Sequence, residues 1–152
     1  MPPNFFDKVI ISDTSCLIAL TKIGSLDVLR QVCQTVLVTP EIAAEYGEDL
    51  PAWITVVPVR DREKTRLIQK TLDGGESSAI ALALEIKKAL LILDDAQARS
   101  FALDLGLSIT GTLGILIAAY RQGIIVDLNQ VIANLRACDF RLPRDLPEIW
   151  KE

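Results

Sequence analysis

Two apolar runs end abruptly in acid. Val9-Ile10-Ile11 leads through Ser12 to Asp13, and Leu90-Leu91-Ile92-Leu93 leads directly to Asp94-Asp95. None of the 152 residues is a histidine, which excludes Ser-His-Asp triads, Cys-His nucleophile pairs and histidine-ligated zinc. Carboxylates are left as the obvious groups to act as acid, base or metal ligand. Two of them about 4 Å apart repel by roughly 4 kcal/mol at an effective dielectric near 20, so a close pair needs a shared proton or a cation. A hard divalent ion is the simplest resolution. Mg²⁺ and Mn²⁺ take oxygen ligands and keep several waters, leaving room for the oxygens of a phosphate substrate.

The elements around these acids follow from the apolar spacing. Val9 to Ile11 are β-branched and uncharged, as a strand buried on both faces of a parallel sheet requires. Leu17, Ile18, Leu20 and Ile23 then recur at helical spacing before Gly24, so Asp13 falls in a strand-to-helix turn, where open α/β sheets bind ligands. Further strands are expected at Val36–Val38, at Trp53–Val59 on an edge because Pro58 interrupts it, at Leu90–Leu93 and at Leu107–Ile109. Helices are expected over Ser25–Cys33 with Ser25 as N-cap, and over Glu41–Tyr46 with Thr39 as cap, Pro40 in the first turn and Gly47 as stop. Others follow at Asp61–Leu72, Ala79–Lys88, Ala96–Leu105, Leu113–Gln122 and Asp127–Cys138, ahead of a Pro-containing tail through Trp150. Asp73-Gly74-Gly75 reads as a break, after which Glu76-Ser77-Ser78 opens the apolar helix. Strand and helix alternate, which predicts an α/β fold: one domain over residues 1–152, with a central parallel sheet of four or five strands and helices on both faces. If the first and fourth strands are neighbours, Asp13 meets Asp94 or Asp95.

Composition narrows the setting. Half the residues are apolar and only 5% aromatic, so Leu, Ile, Val and Ala must build the core. Cys16, Cys33 and Cys138 are widely spaced and odd in number, which fits reduced thiols better than a disulfide framework. Met1 to Asp7 lacks the basic region and long apolar segment of a secretory signal, and no apolar run reaches transmembrane length. A cytoplasmic protein without membrane association is expected. The net charge of −4 repels a polyanion overall, so a nucleic-acid partner needs a local basic patch. Arg60, Arg62, Lys64, Arg66 and Lys70 form the densest cationic stretch, interleaved with Asp61 and Glu63, which a solvated helix face explains better than a dedicated phosphate-binding surface.

Each acid also has an ordinary explanation. Asp13 and Asp95 precede helices and suit N-caps; Glu76 lies in a first turn, where the helix dipole favours an acid; Glu45 suits a solvated face. Convergence of four separate segments is what none of these explains.

The pattern resembles the PIN-domain nucleases, and within them a prokaryotic branch of PIN-like proteins. The resemblance runs from Val9 to about Ile149. It rests on Ile11-Ser12-Asp13-Thr14-Ser15, on Val38-Thr39-Pro40-Glu41-Ile42 with Glu45, and on Gly74-Gly75-Glu76-Ser77-Ser78-Ala79. It continues through Leu91-Ile92-Leu93-Asp94-Asp95 with Ala98-Arg99, and Gly111-Thr112-Leu113-Gly114. By resemblance, the family's acidic quartet falls on Asp13, Glu45, Glu76 and the Asp94-Asp95 pair, with Asp95 at the commoner spacing. The family commonly has Asp where Glu76 stands, and many members have Thr where Leu93 stands. The resemblance implies a Mg²⁺- or Mn²⁺-dependent endoribonuclease on single-stranded RNA, often the toxin of a toxin-antitoxin pair with an antitoxin protein as partner. Asp13, Glu76, Asp94 and Asp95 would hold metal, Glu45 would complete the site, and Thr14 and Ser15 would hydrogen-bond phosphate or a ligand carboxylate, helix capping being their alternative.

Phosphoaspartate enzymes fit less well: Ser15 stands where haloacid-dehalogenase-like phosphatases usually carry a second acid, and Thr110-Gly111-Thr112 stands where receiver domains carry lysine. A nucleotide-binding P-loop is absent. The rival from another class is a catalytically degenerate PIN-like binding module acting through a protein partner, favoured by the acidic charge and Leu93 and disfavoured by the retained acids. The apolar helices at Leu113–Ala119 and Leu128–Leu135 would serve either a homodimer surface or the core of one chain.

Overall fold

The computed structural model describes Phe5 and residues 7–142. The tail through Trp150, and most of the stretch read for a secretory signal, lie outside the described residues. Five short strands, β1 (Val9–Ser12), β2 (Thr35–Val38), β3 (Ile54–Val56), β4 (Ala89–Ile92) and β5 (Ser108–Thr110), form one sheet in the order β3-β2-β1-β4-β5. Every pairing is parallel. β1 lies at the centre, as its unbroken apolar run demands, and Ile10 and Ile11 are fully buried. β3 is an edge strand, shorter than expected, ending ahead of Pro58.

Among the described residues eight helices connect and cover the strands: α1 (Thr14–Lys22), α2 (Asp27–Val32), α3 (Pro40–Tyr46), α4 (Arg62–Gln69), α5 (Gly74–Glu85), α6 (Ala96–Asp104), α7 (Thr112–Arg121) and α8 (Leu128–Ala137). They pack as two groups, α1, α3, α4 and α5 against one another and α2, α7 and α8 together, giving the three-layer α/β/α architecture expected for a PIN-like fold. The buried apolar side chains make one cluster dominated by Leu, Ile, Val and Ala. Leu113, Ile115 and Leu116 of α7 and Leu128, Ile132 and Leu135 of α8 belong to it, so burial within the chain accounts for the apolar faces that a homodimer would otherwise have explained. No helix among the described residues is long and apolar enough to cross a membrane.

Two local expectations are corrected. α5 opens at Gly74 and ends at Glu85, where the sequence predicted an opening at Glu76-Ser77-Ser78 and an apolar helix over Ala79–Lys88. Asp73 caps it, its carboxylate accepting from the Glu76 N–H at 2.9 Å, and this local bond outweighs the poor helix propensity of two glycines. Ser25 is not the N-cap of α2; that position is Leu26, which makes no side-chain cap bond. Where the capping chemistry is strong the expectation holds: Thr39 accepts from the Ile42 N–H, Pro40 opens α3, and Gly47 ends it at φ 73°.

Candidate active site

The parallel sheet delivers β1 and β4 side by side, with Ser12 opposite Ile92. Asp13 continues the pairing for one more bond, its N–H donating to the Ile92 carbonyl at 3.1 Å. Its side chain is only 4% exposed. One carboxylate oxygen accepts from the Cys16 N–H at 2.8 Å, capping α1, and the other accepts from the Asp94 N–H at 3.1 Å. Asp13 is therefore an N-cap, as its ordinary explanation had it, and also the partner of the β4 terminus. Thr14 and Ser15 do not cap α1, because Asp13 does.

Asp13, Thr14, Ser15, Glu45 and Glu76 line one cavity of about 190 Å³, together with Asp73. Four of these six residues are acids and none is basic. Asp73 is the member that the sequence reading does not single out: it stands beside two glycines in a stretch that reads as a break, although an acid directly ahead of a helix is an N-cap signal. Glu45 reaches the cavity from α3, its carboxylate accepting from Thr14 Oγ1 at 2.9 Å. It lies directly against the backbone of Gly75, where a Cβ would collide with the carboxylate. A glycine is needed there for α3 and α5 to bring Glu45 and Glu76 to one site. The same two helices are tied by Thr39 Oγ1, which lies 2.6 Å from Ser78 Oγ.

The Asp94-Asp95 pair divides. Asp94 sits beside Asp13 and lines a second, adjoining cavity. Its carboxylate accepts from the Thr112 N–H at 2.9 Å and from Thr112 Oγ1 at 2.6 Å. Asp95 caps α6 through a 2.9 Å bond from the Ala98 N–H, is exposed, and lines neither cavity, though its charge reaches Glu76. Leu93, which stands where many family members have Thr, is fully buried and lines neither cavity.

Crowding of carboxylates raises their proton affinity. Burial, with the charge of Asp94 next, pushes Asp13 from 3.8 up to about 8. Burial, then Asp73 and Asp95, lifts Glu76 to about 7. Asp94 is raised by burial, against the pull of the Thr112 bonds and of the Arg99 charge. A cation in this cluster would relieve all three. Among the described residues no three His, Cys, Asp or Glu side chains are spaced to hold an ion between them, and all donors lining the acidic cavity are oxygens. That set suits an ion of the Mg²⁺ or Mn²⁺ kind, held by one or two carboxylates and otherwise hydrated.

The cationic stretch at Arg60 to Lys70 does not flank this site as a block. The Arg60 and Asp61 N–H groups donate to the Glu85 carboxylate, at 2.9 and 2.8 Å. Glu85 ends α5, about 13 Å along the helix from Glu76 by its rise per residue. Arg66 is paired with Glu63.

No curated protein and no solved structure matches this chain. A family model described as PIN domain matches residues 9–149. PIN domains are generally nucleases that act on nucleic acids with divalent metal ions. On a match spanning all but the ends of the chain, together with the parallel five-stranded sheet and its acidic carboxyl edge, the protein belongs to the PIN-domain family.

Proposed function

We propose that this chain is a Mg²⁺- or Mn²⁺-dependent endoribonuclease that hydrolyses phosphodiester bonds of single-stranded RNA. The observation that carries the reading is the convergence of Asp13, Glu45, Asp73 and Glu76 on one cavity with no basic residue among the described residues of its lining, and with the Asp94 N–H donating to Asp13. Asp13 and Asp94 would hold the ion most directly, with Glu76 beside them and Asp95 acting on Glu76 through its charge. When bound, the divalent ion makes water a usable nucleophile near neutral pH and stabilises charge on the attacked phosphate. Glu45 and Glu76 would orient that water through their carboxylates, burial and the charges of Asp73 and Asp95 raising the Glu76 carboxyl to about 7. Thr14 holds Glu45, and the exposed Ser15 hydroxyl is available to a phosphate oxygen. The reading takes residues 1–152 as one domain working in a prokaryotic cytoplasm, as the toxin of a toxin-antitoxin pair with an antitoxin protein as partner.

The deciding experiment is cleavage of a panel of single-stranded RNAs and DNAs with Mg²⁺ or Mn²⁺, wild type beside Asp13→Asn. Asparagine still caps a helix but is a poorer cation ligand. RNA cleavage lost on chelation, and lowered at least about a hundredfold in the variant, is the expected result. Absence of both cleavage and calorimetric metal binding in the wild type would overturn it in favour of the degenerate binding module.

A further inference from the structure

The second cavity, about 450 Å³, meets the first at the Asp13–Asp94 contact, with Asp94 as the one acid among the described residues of its lining. Its character is the reverse of the first. Arg99 and Arg141 supply two positive charges, and Leu113, Ile117 and Phe140 supply an apolar and aromatic wall. The volume lies within the range of pockets that enclose a small molecule of nucleotide size. Arg99 is held in place: its Nη1 donates to the Leu93 carbonyl at 2.7 Å, which leaves the rest of the guanidinium fork for another acceptor. Gly111 keeps the wall thin, since a Cβ there would stand 3.0 Å from Asp94 Oδ1 and 3.1 Å from Arg99 Nη1. Arg141 is exposed and Phe140 half-buried.

We propose that this cavity binds the nucleotide next to the cleaved phosphate, its base stacked on Phe140 and its phosphate held by Arg99 and Arg141. The inference rests on the nuclease reading and names the part of the substrate that reading leaves unplaced. Single-stranded nucleic acid is gripped by pairing a cationic track with an aromatic face on which an unstacked base can lie. Both components line the cavity that Asp94 also lines, and the Asp94 N–H donates to Asp13. Because Asp94 lines this cavity and its N–H donates to Asp13, a strand with one phosphate at the acid pair would extend its neighbouring nucleotide toward this cavity. The acidic cavity suits the scissile phosphate with its ion rather than the next nucleotide, because the described residues of its lining include no arginine, lysine or aromatic side chain. An overall charge of −4 is then no obstacle, because the two arginines are placed where the strand leaves the acids.

The test uses the full chain, an RNA hexamer and the same hexamer made abasic at each position in turn. Phe140→Leu keeps an apolar side chain, and Arg141→Gln changes an exposed residue, so thermal midpoint and calorimetric Mn²⁺ affinity check that fold and acidic site are intact. The expected result is a KM raised about tenfold in each variant with kcat within about twofold. An abasic nucleotide beside the cleaved bond should raise KM about tenfold in the wild type and leave Phe140→Leu little changed. Cleavage by the wild type with KM unaltered in both variants, or an abasic penalty equal in wild type and Phe140→Leu, overturns the base-binding cavity and leaves the nuclease reading standing. Failure of the wild type to cleave any strand overturns both.

Discussion

Asp13 combines a helix cap, an acceptor for the Asp94 backbone and a buried acid, and those roles conflict electrostatically. Its carboxyl goes from 3.8 to about 8 on folding, so the folded state holds the proton more tightly than the unfolded chain. The sign follows: without divalent ions, stability is greatest below about pH 4 as far as this group is concerned and falls as pH rises toward 8. The expected loss is on the order of a few kcal/mol, read as a falling thermal midpoint that Asp13→Asn flattens and Mn²⁺ restores. Thr112 acts in the opposite direction, because its two bonds favour the charged form of Asp94. Thr112→Val keeps the buried shape and removes the hydroxyl. It should raise the pH at which Mn²⁺ binding is half complete, measured by calorimetry across a pH series.

At the scale of elements, the site depends on how closely α3 and α5 approach. Gly75→Ala places a methyl group where the Glu45 carboxylate lies, and a glutamate end moves more cheaply than a helix. The substitution should leave the thermal midpoint within a few degrees while lowering Mn²⁺ affinity or cleavage by about tenfold, as loss of an orienting neighbour of a metal site does. The same pair of glycines explains why the start of α5 was misplaced from the sequence. Propensity reads Gly-Gly as a breaker, whereas here the Asp73 cap and the packing of Glu45 override it. Ser25 failed as a cap for the complementary reason: the chain enters α2 through a helical residue, Leu26, so no extended cap geometry is available to a serine.

The whole molecule decides where opposite charges gather. Strand binding through two arginines predicts a shallow salt dependence, with log K against log salt near −1.4 for two phosphate contacts to a single strand. Arg60→Glu, in the denser cationic stretch at the far end of α5, should leave KM for the RNA hexamer unchanged, whereas Arg141→Gln raises it. Core truncation is the control for global effects: Leu91 is fully buried in β4, and Leu91→Ala should cost about 2–5 kcal/mol, lowering the thermal midpoint by roughly 5–15 °C. Much of this architecture is local information. β-branched runs, helical spacing, Thr39-Pro40 and Gly47 determine the elements, and the position of Asp13 and Asp94 at strand ends follows from them. What only the tertiary structure decides is adjacency: that β1 and β4 are neighbours, that Asp94 and not Asp95 meets Asp13, that Asp73 joins the acids, and that Arg99 and Arg141, 42 residues apart in the chain, share a cavity. Secondary structure is written in periodicities a few residues long, whereas a site is assembled by strand order and helix contact between segments whose spacing in the chain carries no record of their distance in space.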